Sequence, residues 1–209
     1  MPEYDRSAQL GVDLADGPRT LLNECANAVM PTFVALLRGV NVGKANRVPM
    51  AAFRSLLAAL GYTGVSTLLN SGNAVFCAAA GAPSRHAQDI SDALVSKLKV
   101  EVPVIVKSAR ELATIVSQCP IQVGPADHSR FLVAFVQQPK SLSTLSSLRS
   151  LVTPPERFAT GSQAAYLFCA NGMLESKAGK ALLGKTGKSA TTRNWATVLK
   201  LHTLAKGGA

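Results

Sequence analysis

The residues with the most chemistry to offer are cations set among glycines and asparagines. The segment from Arg38 to Arg47 reads Arg-Gly-Val-Asn-Val-Gly-Lys-Ala-Asn-Arg. Arg38, Lys44 and Arg47 supply charge there, Asn41 supplies an amide, and the glycines leave backbone N–H groups open to approach. That combination suits an anion, above all a phosphate, held ahead of a helix N-terminus. The same pattern also serves an ordinary tight connection, in which glycines take positive φ and asparagines close turns. A second basic concentration lies near the C-terminus. From Asn171 onward, seven cations face Glu175 as the sole acid, and Lys188, Thr192, Arg193 and Asn194 crowd the expected start of the last helix. A phosphate could be met there too, by charge and by free N–H groups together. The candidate anion-binding set is therefore Arg38, Asn41, Lys44, Arg47, Lys188, Thr192, Arg193 and Asn194.

Other chemistries find less support. His86, His128 and His202 stand in separate segments, and no Gly-x-Ser-x-Gly elbow or paired carboxylate arrangement occurs. Cys25, Cys77, Cys119 and Cys169 are far apart, with no metal-ligand spacing, so they read as reduced thiols and no metal or cofactor is expected. Ser71, in a turn before a strand, is the remaining candidate nucleophile. Gly179 to Thr186 formally matches the phosphate-loop pattern Gly-x4-Gly-Lys-Thr. It lacks the preceding strand, its middle reads as helix, and Gly187 stands where a helix should propagate, so it is rejected.

Composition sets the outer bounds. The 209-residue chain carries a net charge of +10, with 47% hydrophobic and 5% aromatic residues, which indicates a core of Ala, Val and Leu. The first 30 residues hold five acids against Arg6 and Arg19, so the body is more basic than the total suggests. Such an excess favours nucleotides or nucleic acid as partners, although a solvated basic surface gives the same count. No run approaches the roughly 20 apolar residues of a membrane span, and no secretory signal pattern is present. A cytoplasmic protein that does not enter a membrane is expected.

The elements that must position these residues are legible from Thr32 onward. Thr32 to Leu37 is an apolar strand, and a helix from Pro49 carries Met50, Phe53, Leu56, Leu57 and Leu60 at helical spacing. Val65 to Leu69 and Ala74 to Cys77 form two strands joined by Asn70 to Asn73; a helix over Ala87 to Leu98 and a strand over Val102 to Val106 follow. The order β-α-β-β-α-β is the ferredoxin-like pattern. A linking helix from Ser108 to Ser117 precedes a second run: strand 130–137, helix 142–151, strands 157–159 and 164–169, and helix 174–183. The last helix spans about Thr192 to Ala205, with Thr191 or Thr192 as its cap. The fold class expected is α+β, two ferredoxin-like halves with antiparallel sheets and a C-terminal helix. Residues 1–30 form an extension, 31–107 the first half, and 108–209 the linker helix, second half and last helix. In this layout the Arg38 loop and the Ser71 turn are expected at opposite strand ends, about 15 Å or more apart, and the strands offer few aromatics on which bases could stack.

Three segments carry a family resemblance: Val34 to Gly43 with Val48-Pro49-Met50, then Asn70-Ser71-Gly72-Asn73-Ala74-Val75-Phe76, and Thr192-Arg193-Asn194-Trp195 with Thr197-Val198. Together, across about residues 31–205, they resemble the family catalogued as domain of unknown function 1697. The resemblance implies a bacterial-type, duplicated ferredoxin-like architecture and no established activity. Lys44 departs from a second glycine common in that pattern, and Asn70 from a glutamine. The functional expectations are, first, a binding module for a phosphate-bearing partner, nucleotide or nucleic acid; then an enzyme acting on a small polar metabolite between the halves; then a protein-interaction module.

Overall fold

A computed structural model describes residues 30–43 and 46–207; the expected N-terminal extension, like Lys44, lies outside the described residues. Two four-stranded antiparallel sheets with helices make an α+β fold. In the first half, strand β1 (Thr32–Leu37) is followed by helix α1 (Met50–Ala59), strands β2 (Thr63–Leu68) and β3 (Asn73–Cys77), helix α2 (Pro83–Ala93) and strand β4 (Val104–Ser108). Helix α3 (Ala109–Ser117) links to strand β5 (Phe131–Val136), helix α4 (Leu142–Leu145), strands β6 (Arg157–Thr160) and β7 (Ala164–Phe168), helix α5 (Lys177–Leu183), strand β8 (Ala190–Asn194) and helix α6 (Trp195–Lys206). Strand order is β2-β3-β1-β4 in one sheet and β6-β7-β5-β8 in the other, the same arrangement twice.

Each sheet is packed on both faces. Alternation along β1 sends Phe33 and Ala35 toward α1 and α2, where Phe53, Leu57, Ile90 and Leu94 complete an outer core. Val34 and Leu36 point the other way, into a shared core with Phe131, Val133, Phe135 and Tyr166 of the second half. Helices α3 and α6 fill this inner layer through Leu112, Ile115, Val198 and Leu201. Leu132, Ala134 and Leu167 meet α4 and α5 on the far side. Removing one such buried apolar side chain from water contributes about 1.5–3 kcal/mol, so the inner layer ties the halves together strongly.

The boundary helices show why the duplication closes. α3 begins with a capping box: Ser108 Oγ accepts from the Glu111 N–H, and Glu111 Oε2 accepts from the Ser108 N–H at 2.8 Å. At the corresponding point of the second half Asn194 accepts from the Thr197 N–H at 2.9 Å, starting α6. Both caps are the last residues of their strands.

Several expectations are corrected. Thr192 and Arg193 belong to strand β8, not to the first turn of the last helix, so the second half is a complete β-α-β-β-α-β unit. The last helix starts at Trp195 and buries Thr197, Val198, Leu201 and Ala205. The 142–151 helix is α only to Leu145 and 3-10 from Ser146 to Leu151. Cys77 is disulfide-bonded rather than reduced, whereas Cys119 and Cys169 are free thiols. Among the described residues no helix is long and apolar enough to cross a membrane.

Candidate functional site

The loop after β1 is organised by left-handed residues: Gly39, Asn41, Gly43 and Asn46 all have φ between 51° and 65°. Glycine and asparagine reach this region at low cost, which is why the loop is built from them. Asn41 fixes the loop. Its side-chain amide donates to Val48 O at 2.9 Å and Asn70 O at 2.7 Å, and its Oδ1 accepts from the Val48 N–H. With every amide group engaged, Asn41 positions the loop rather than offering itself to a ligand.

The bond from Asn41 to Asn70 overturns the expectation that the Arg38 loop and the Ser71 turn lie far apart. Because β3 runs antiparallel to β1, Leu36 pairs with Asn73, and the start of β3 necessarily meets the end of β1. Leu37 N–H donates to Gly72 O at 2.8 Å. A Cβ on Gly72 would sit 2.6 Å from Leu37 Cβ, so this close approach requires glycine.

Arg193 is the centre of the junction between the halves. Register pairs it with Val133, in the way that Lys107 pairs with Val34, so the two cations occupy equivalent inward positions on β8 and β4. Both are buried, Lys107 at 0% and Arg193 at 8% exposure. Arg193 reaches into the first half. Its Nε donates to Asn73 Oδ1, its Nη1 to Thr191 Oγ1 and Thr192 O at 3.0 and 2.7 Å, and its Nη2 to Leu37 O and Ser71 O at 2.8 and 3.0 Å. All five N–H groups are thereby used. Burial lowers its pKa to about 10, which still leaves it charged at neutral pH, and every acceptor it meets is neutral. Lys107 repeats the reach in the opposite direction, to Gln163 Oε1 in the β6–β7 turn, but is also neutralised by Glu111 Oε1, both at 3.3 Å.

Arg38, just beyond β1, crosses the same junction: Nη1 donates to Gly187 O and to Ala190 O at 2.8 Å, and Nη2 to Leu183 O at 3.1 Å. Its Nε–H and the second Nη2 hydrogen meet no acceptor among the described residues. Arg38, Thr192, Arg193 and Ser71 line one cavity of about 470 Å³ between the halves, with Leu37, Val40, Val42, Leu182 and Leu183 among the other walls. No Asp, Glu or His is among its lining residues.

The remaining candidates separate from this cleft. Asn41 and Arg47 line a neighbouring cavity of about 410 Å³ at the uncapped N-terminus of α1, with Gly43, Met50 and Asn70. Lys188 is exposed in the turn before β8 and lines neither cavity, and Asn194 is spent on capping α6. The rejected phosphate-loop match places its Lys185-Thr186 in a turn after helix α5, the reverse of the order a phosphate loop needs. His86 lies in the outer core of the first half, its Nδ1 3.0 Å from Tyr62 OH, and burial lowers its pKa. Burial pushes the Cys119 and Cys169 thiols up, away from the reactive thiolate. Among the described residues no group of three or more His, Cys, Asp or Glu is gathered as a metal site.

Reading the sequence missed Lys107, Ser71 and Asn73 as partners in the junction. A lysine alone in an apolar strand, and the strand pairing itself, were the available signals.

Comparison with known proteins accords with this geometry. No curated protein matches the chain. A solved structure, that of conserved bacterial protein SP0830 from Streptococcus pneumoniae, is 21% identical, superposes with a TM-score of 0.69, and the match covers 84% of this chain and 99% of that one. At that identity the likeness shows the fold. The family model described as a protein of unknown function, DUF1697, matches residues 30–166, and the chain belongs to that family.

Proposed function

We propose that the two halves, 31–107 and 108–209, act together as a binding module for a small phosphate-bearing ligand, taken up in the cleft at Arg38 and Arg193. The observation that carries this reading is the uncompensated charge. Two guanidinium groups line a cavity with no carboxylate, and the buried one is surrounded by neutral acceptors alone. A buried charge without a counter-charge is costly, and an anion in the cleft supplies what the protein omits. Arg38 offers the free donors, while Arg193 contributes field and holds the Ser71 turn in place.

Binding rather than catalysis fits the lining. Ser71 lines the cavity with Thr191 and Thr192, yet its Oγ accepts from Asn73 Nδ2 at 2.9 Å, and no lining side chain can act as a base for any of the three hydroxyls. A small ligand is favoured over a nucleic-acid track, because β1 is buried on both faces and leaves no open sheet on which bases could stack.

The test is thermal stabilisation by inorganic phosphate and by a mononucleotide at low salt. A ligand at a hundred times its Kd stabilises by about 2.7 kcal/mol. Stabilisation that disappears in Arg38→Gln supports the reading. No stabilisation by either compound removes it, and DNA or RNA binding with a steep salt slope but no phosphate effect would move the interaction to the exposed lysines.

A further inference from the structure

We propose that the ligand of this cleft carries an apolar body, a hydrocarbon or aromatic group attached to its anionic head, and this rests on the reading above. Val42 is 73% exposed and Leu183 is 42% exposed, and both line the cavity that contains Arg38 and Arg193. Each comes from a different half, Val42 from the loop after β1 and Leu183 from the end of α5.

Their exposure is built into the backbone. Val42 stands between Asn41 and Gly43, both left-handed, and Asn41 is bonded to Val48 and Asn70, so the loop holds its valine outward. Leu183 ends α5, and its carbonyl accepts from Arg38 Nη2 at 3.1 Å. An apolar side chain is thus fixed next to the group that offers free N–H donors. Behind the pair, Leu37, Val40, Leu182 and Ala190 continue the apolar wall. A cavity of about 470 Å³ falls in the range of small-molecule sites, where apolar walls hold the body and a few polar groups fix the head. A free inorganic anion or a sugar phosphate leaves these walls wet.

Calorimetric titration of the full chain with inorganic phosphate, ribose 5-phosphate and phenyl phosphate tests the assignment. Phenyl phosphate is expected to bind about tenfold tighter than either of the others. The ratio of phenyl phosphate to phosphate affinity, taken within each variant so that a general weakening cancels, should fall to about twofold in Val42→Ser and in Leu183→Ser. It should stay unchanged in Val95→Ser, an exposed valine outside both cavities. Equal binding of phenyl phosphate and phosphate, or tighter binding of ribose 5-phosphate, overturns the apolar body while the phosphate site stands. Failure of all three to bind overturns the phosphate site and this inference together.

Discussion

The two halves solve one problem with different chemistry. At equivalent strand positions Lys107 and Arg193 each reach a hairpin turn of the opposite half, Gln163 in one case and Ser71 with Asn73 in the other. Just beyond β1 and β5, Arg38 and Gln137 likewise cross over. Gln137 pairs twice with the edge of β4, accepting from the Val106 N–H at 2.9 Å and donating to Val106 O at 3.2 Å. On the Lys107 side the charge is neutralised by Glu111 and the strand edge is closed by an uncharged amide. On the Arg193 side two guanidinium groups have no acid and a cavity remains. The repeated fold thus supplies a symmetric joint, and the side without neutralising acids is the one that holds the cavity of about 470 Å³.

The largest effect should come from Arg193→Met, which strands Asn73 Oδ1 and the Ser71 carbonyl and leaves the Leu37 carbonyl and Thr191 Oγ1 with only each other, at 3.4 Å. Unsatisfied buried acceptors cost about 1–3 kcal/mol each before relaxation, so a loss of about 3–5 kcal/mol is expected in denaturant titration. A loss below about 1 kcal/mol would show that the junction does not depend on it. Gln137→Leu leaves the Val106 N–H and carbonyl unpaired at a half-buried edge and should cost about 1–2 kcal/mol without weakening phosphate binding. Removing the cap of α6 in Asn194→Ala should cost about 1 kcal/mol, by the same measurement.

Lys107→Met should sharpen the contrast further. Glu111 is 28% exposed at its side chain and keeps its capping role, so loss of its partner is met by water and the change should stay within about 1 kcal/mol. The smallest effect is on pH dependence. Burial lowers the pKa of His86 and His202 below 6.5, so below that pH the unfolded chain takes up protons that the folded one resists. Stability should therefore fall from pH 7 to pH 5, with a shallower fall in His86→Phe. An unchanged slope in that variant would mean His86 is not the group responsible.

Much of this was readable from residue order. Short continuous apolar runs announced β1 and β5, the spacing of Phe53, Leu56 and Leu57 announced α1, and Asn70 to Asn73 announced a hairpin. Strand β8 was not legible, because Ala-Thr-Thr-Arg-Asn lacks an apolar run and its Thr-Arg-Asn resembles a helix start. Completing the repeat was the cue: a second half built like the first demands a fourth strand, and two adjacent threonines favour one. Of the candidate site, Arg38, Thr192 and Arg193 do meet in one cleft. Asn41 and Asn194 turned out to be occupied in positioning the backbone, a role that looks identical to ligand binding when only residue types are known.

The sequence by itself determined the order of strands and helices apart from strand β8, because periodicity and turn residues act over a few neighbours. Only the tertiary structure decided which cations are buried, and that the Arg38 loop and the Ser71 turn share one end of the sheet. Those outcomes depend on contacts such as Arg38 with Gly187, 149 residues apart, and on antiparallel register, where the end of one strand is placed against the start of another. Charge could be counted along the chain, but whether a carboxylate stands beside it depends on how the two halves meet.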